Sequence, residues 1–130
     1  MSFADFWENE ILDHLFGKGS YTPPTTHIGL STADPLDDAS GLAEPSGNGY
    51  ARITTAAANW DVSANGLIDN AVELSFPAAT GSWGTVTHAA LFDAPTGGNL
   101  MASGALTVPK AISSGDTPKF AAGELDVTLD

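Results

Sequence analysis

The chain has 130 residues, 42% of them hydrophobic, with 16 acidic side chains against four basic ones and a formal net charge of −12. The four cations, Lys18, Arg52, Lys110 and Lys119, are too scattered to form a phosphate-neutralising stripe, which excludes nucleic acid, and the acid excess repels anionic membranes. No cysteine is present, so disulfides and thiolate zinc sites are excluded, and no apolar run approaches the roughly 20 residues of a transmembrane helix.

The length suits one domain over residues 1–130, with an N-terminal helix in 1–17 and a β-sandwich over 20–130. The start carries neither the basic region nor the continuous apolar stretch of a signal peptide. Its residues predict a helix from Phe3 to Phe16, with Ser2 as cap and Asp5 three positions on. Phe3, Phe6, Trp7, Ile11, Leu15 and Phe16 recur at helical spacing, and Gly17-Lys18 reads as the stop.

Everything after Gly19 reads as β. Thr26–Ser31 is a short strand, and after it comes a long loop from Thr32 to Asn48 rich in Asp, Pro, Gly and Ser. Tyr50–Thr55 is a second strand, Trp60 anchors the segment beyond it, and Asn65-Gly66 is a hairpin-type turn. Val72, Leu74 and Phe76 alternate with polar residues as a half-buried strand. In Gly81-Ser82-Trp83-Gly84 the glycines free the backbone while the indole fixes a corner by burial. Strands over Thr85–Asp93, Leu100–Val108 and Leu125–Leu129, separated by Gly/Pro turns, complete the chain. The fold class expected is mainly β, an antiparallel β-sandwich or jelly roll with one N-terminal α-helix.

Chemistry is sparse. The acids Asp34, Asp37, Asp38 and Glu44 could gather oxygen ligands for calcium, but their spacing is not that of an EF-hand. A solvated turn with Pro and Asp serving the backbone is the preferred reading, so no metal and no calcium-dependent melting are expected. His14, His27 and His88 are too dispersed for a metal site. No nucleophile elbow, P-loop or dinucleotide fingerprint occurs, so no catalytic residue and no cofactor are assigned.

Several segments together resemble one family. They are Glu8–Gly17 (ENEILDHLFG), Pro23–Pro35 (PPTTHIGLSTADP), Glu44–Arg52 (EPSGNGYAR), Phe76–His88 (FPAATGSWGTVTH), Leu91–Leu100 (LFDAPTGGNL) and Ser114–Leu125 (SGDTPKFAAGEL). The chain is similar along nearly its full length to short tailed-phage and prophage proteins commonly described as phage tail fibre proteins. The resemblance implies a non-enzymatic structural protein of the virion.

A fibre shaft requires extended repeats or a trimeric coiled coil, and neither is visible here. The preferred reading is therefore a capsid cement subunit on the outer surface of the particle. It would bind the major capsid protein or another virion protein and assemble as a homo-oligomer, a dimer or trimer, on a local symmetry axis. The alternative is a tail-fibre or tail-tip module that binds host-surface glycan through Trp60 or Trp83. Partner contact is expected from Phe3, Phe6, Trp7 and Ile11 on the helix and from Asp34, Asp37, Asp38 and Glu44 in the acidic loop. Removing Met1–Gly17 is expected to leave a folded β domain.

Overall fold

The computed structural model describes residues 1–129. Its elements run β1 (Ser2–Phe3), α1 (Asp5–Leu15), β2 (His27–Ser31), β3 (Ile53–Thr54), a 3-10 turn (Ala57–Asn59), β4 (Leu67–Ile68), β5 (Leu74–Ser75), β6 (Gly84–Phe92), β7 (Leu100–Ile112), β8 (Lys119–Phe120) and β9 (Val127–Thr128). The protein is mainly β with one helix, as expected. Seven strands in the order β3-β2-β6-β7-β1-β9-β4 make a curled sheet, and β5 pairs with β8 in a second, small sheet. Pairing is antiparallel except where β1 and β9 meet in parallel at Ser2 and Thr128.

Strand alternation divides the apolar residues between two faces. Ile28 and Leu30 of β2 and Val86, Ala89 and Leu91 of β6 join one core with Met101, Val127 and, from the small-sheet side, Leu74 and Phe76. The small sheet thus packs on the curled one, which gives the sandwich-like arrangement. Ala90 and Phe92 of β6 turn the other way and pack with Ala4, Leu100, Ala39 and Leu42. The long loop therefore roofs the second face of the sheet, and β2 is buried on both sides. Gly29 permits that roof: a Cβ there would lie 2.9 Å from Glu44 Oε1, Phe92 Cε2 and the Tyr50 hydroxyl.

The N-terminus departs from expectation. Ser2 and Phe3 form β1, inserted between β7 and β9, and do not begin the helix. Ser2 is consequently not a cap; the N-cap is Ala4, which makes no side-chain capping bond. The pairing that wins is long-range, with Ser2 opposite Ser103 and Phe3 opposite Ala102, and it is invisible to a helical pattern read locally. The predicted stop is present: Gly17 has φ 71°, and a Schellman closure runs from Lys18 N–H to Asp13 O at 2.8 Å and from Gly17 N–H to His14 O at 3.4 Å.

Two local predictions match the structure in detail. Asn65 and Gly66 both take positive φ, 54° and 75°, the pattern of a type I′ turn between Ala64 and Leu67. Trp83 is buried at its corner, edge-on to Tyr50 at 5.2 Å, and its indole N–H donates to Asn48 O at 2.8 Å. Gly84 takes φ 81°, whereas a side chain at Gly81 would meet Asn48 at 2.7 Å, so the two glycines answer different needs.

Candidate functional site

The conspicuous polar cluster lies under the long loop. Gly47, Asn48 and Gly49 have φ of 69°, 51° and 78°, and this left-handed run turns the chain back so that Glu44 meets Arg52. The pair is bidentate, with Nε to Oε1 and Nη2 to Oε2 both at 2.7 Å. Arg52 Nη1 also donates to Ala94 O at 2.7 Å and Gly97 O at 2.9 Å, and the guanidinium lies 3.4 Å from the Phe92 ring centroid. The Tyr50 hydroxyl donates to Glu44 Oε1 at 2.6 Å and accepts from Leu30 N–H at 3.0 Å. Burial, reinforced by the bond to Glu44, pushes the Tyr50 phenol well above its ordinary value.

The hydrogen bonds in this cluster tie loops to one another and, through Tyr50, to the sheet. Arg52 joins the Glu44 loop to the Ala94–Gly97 turn, and Tyr50 joins both to β2. The geometry is that of a clasp. Sequence reasoning missed Arg52 and Tyr50; the available signal was a lone Arg following Tyr in a β segment, eight residues after a Glu.

Asp93 sits at the same end. It accepts from Trp7 Nε1 at 3.3 Å and from Asn99 N–H and Nδ2 at 2.7 and 3.0 Å. Burial works to raise its carboxyl, but the bonds from Asn99 and Trp7 outweigh it and hold the group below the usual carboxylate range. His27, beside this end of the sheet, is held below its ordinary value of 6.5, by burial first and by Arg52 second, while Asp93 opposes the shift.

The His27 displacement has a testable sign. Near pH 6.5 and just below, the unfolded chain binds a proton at His27 that the native protein does not. Stability should therefore fall as pH drops below that value. Between pH 7.5 and 5.5 the melting temperature of the native protein should drop further than that of His27→Gln. Equal losses in the two proteins would refute the assignment.

The predicted partner-binding residues separate into groups. Trp7 is 6% exposed and belongs to the core, packed edge-on to Tyr21 at 5.0 Å. Phe3 is half-buried against the same core, and Ile11 is half-buried on the helix. Phe6 is exposed. Glu44 faces inward to Arg52 instead of outward to a partner.

Asp34, Asp37 and Asp38 are exposed, and their loop runs beside the helix start, where Asp5 N–H donates to Asp37 O at 3.0 Å. Asp34 Oδ1 accepts from Leu36 N–H at 3.0 Å and Asp38 Oδ1 from Ser40 N–H at 2.9 Å, so both carboxylates shape turns. The bonds from Ser40 hold the Asp38 carboxyl below its ordinary value. Among the described residues no three His, Asp or Glu side chains converge to hold a metal ion.

Two clefts open on the core. One, of about 650 Å³, lies between β7 and the segment around β8. The other, of about 390 Å³, is mostly apolar and is lined by Phe3, Pro23, Pro24, Thr26, Thr55 and Trp60. Trp60 is half-buried, with its indole N–H donating to Thr55 Oγ1 at 3.0 Å. Of the two tryptophans considered for glycan stacking, Trp60 borders this cleft, whereas Trp83 is 5% exposed.

The protein is a β domain in which an ion pair clasps loops and whose helix turns large apolar side chains outward. The chain belongs to the Podophage GP4 fiber I protein gp80 family, whose sequence model matches residues 2–128. No curated protein matches it. The protein is thus a structural component of the phage virion, and the family description favours the fibre reading over the capsid-cement one.

Proposed function

We propose that this protein is a non-catalytic fibre subunit carried on the outside of the phage tail, where it recognises a host-surface glycan. The family match over residues 2–128 is the observation that carries the fibre reading. A binding role in place of catalysis is supported by the clasp, since Glu44, Arg52 and Tyr50 are all engaged in holding loops.

The glycan site proposed is the Trp60 cleft. An indole beside an apolar floor suits the C–H face of a sugar ring, and the Thr55 hydroxyl, bonded to Thr26 and accepting from Trp60 Nε1, fixes the indole in place. The net charge of −12 favours a neutral saccharide over an anionic one. Trp60→Ala should slow phage adsorption to host cells roughly tenfold, the loss of one stacking contact. Titrating host surface polysaccharide into the purified protein should shift tryptophan emission in the native chain but not in the variant. Adsorption at the native rate, together with an unchanged titration, would reject the site.

A further inference from the structure

Helix α1 has an inward face and an outward one. Trp7 turns into the core and Ile11 is half-buried, while Leu12, Leu15 and Phe16 are 53%, 71% and 76% exposed. These three positions, spaced three and four apart, present the anchor pattern of a helix that lies in an apolar groove. They are not on a frayed end, because the Schellman closure at Asp13–Lys18 holds the last turn. Large apolar side chains held on a rigid exposed turn are a docking feature and not random surface.

Charge selects what covers them. Asp5, Glu8 and Asp13 flank the patch, all exposed, against a single nearby cation, Lys18, two residues beyond Phe16. A second copy has little basic surface to oppose them. Of its four cations Arg52 is 4% exposed within the clasp, and Lys119 lies 3.7 Å from Glu73, which leaves Lys18 and Lys110. Two copies meeting at this face would set three acids of each against one lysine, Lys18, of the other, leaving acids in excess. Edge-to-edge pairing of copies is disfavoured as well, because the outer strands of the seven-stranded sheet, β3 and β4, are each only two residues long.

We propose that the Leu12–Leu15–Phe16 face docks into an apolar groove bordered by Lys and Arg on a different virion protein, and so mounts this subunit on the particle. The assignment rests on membership of the virion and is independent of the glycan site.

Phage lacking this protein, grown in cells that supply full-length variants, gives the test through copies per purified particle. Leu12→Ser with Phe16→Ser should melt within about 2 °C of the native protein, since both side chains are exposed. Its incorporation should nevertheless fall at least about tenfold, as expected for loss of aromatic and aliphatic anchors. Asp13→Lys, a change the helix dipole tolerates, should also lower incorporation. A photo-crosslinker at position 15 should join the chain to another virion protein. Full incorporation of the double variant, a gain with Asp13→Lys, or crosslinks confined to second copies would each overturn the proposal. Antibody labelling of native particles on the shell instead of the tail would sink the fibre reading, while the variant comparison still decides the docking face.

Discussion

A chain lacking Met1–Gly17 is expected not to fold. The segment contributes β1, which joins β7 to β9 near the middle of the seven-stranded order, and without it β9 and β4 lose their connection to the sheet. It also contributes Trp7 to the main core and Ala4 to the second one. Truncating a buried Trp alone costs about 3–5 kcal/mol, against a total stability of about 5–15 kcal/mol for a domain. Adding the lost strand should exhaust that margin. The purified fragment should show a collapsed amide proton spectrum and no cooperative melt. A dispersed spectrum with a sharp thermal transition would mean that the β region is independent of its N-terminus. The expectation of a separable helix is therefore reversed: one face of the helix, with the strand before it, is part of the domain.

Glu44→Ala is expected to be the most damaging single change at the clasp. Arg52 is 4% exposed and Glu44 20%, so removing the carboxylate strands a guanidinium away from water. Breaking one partner of such a pair costs about 3–5 kcal/mol, because desolvation of the remaining charge is no longer offset. For a domain of this size that is a fall in melting temperature of roughly 10 to 20 °C. Tyr50 loses its acceptor in the same substitution, which adds to the loss. Replacing Glu44 and Arg52 together by Met should cost less than the sum of the single changes, since no unpaired charge remains. A melting temperature within about 2 °C of native for Glu44→Ala would show the pair to be solvent-screened and the clasp to be unimportant.

Features governed by neighbours in the chain were legible from the residues alone. The helix stop at Gly17-Lys18, the Asn65-Gly66 turn, the buried corner at Trp83 and the alternation along β6 each depend on a few consecutive dihedrals and on burial of one side chain. The mainly β class came from the density of such turns. Strand β1 was not legible, because two residues carry no period and Phe3 suits a helical stripe as well as a ladder. Nor was the direction of each helix face: Phe3, Trp7, Leu15 and Phe16 read as one stripe, yet the first two are drawn to the core and the last two are left outside. The acids look alike in sequence, and only the return of the chain through Gly47–Gly49 separates Glu44, paired with Arg52, from Asp34, Asp37 and Asp38 at the surface. Local sequence thus determined the turns, the helix and the class of fold. Which aromatic is core and which acid is paired was decided by contacts between residues distant in the chain, whose burial energies outweigh any local preference.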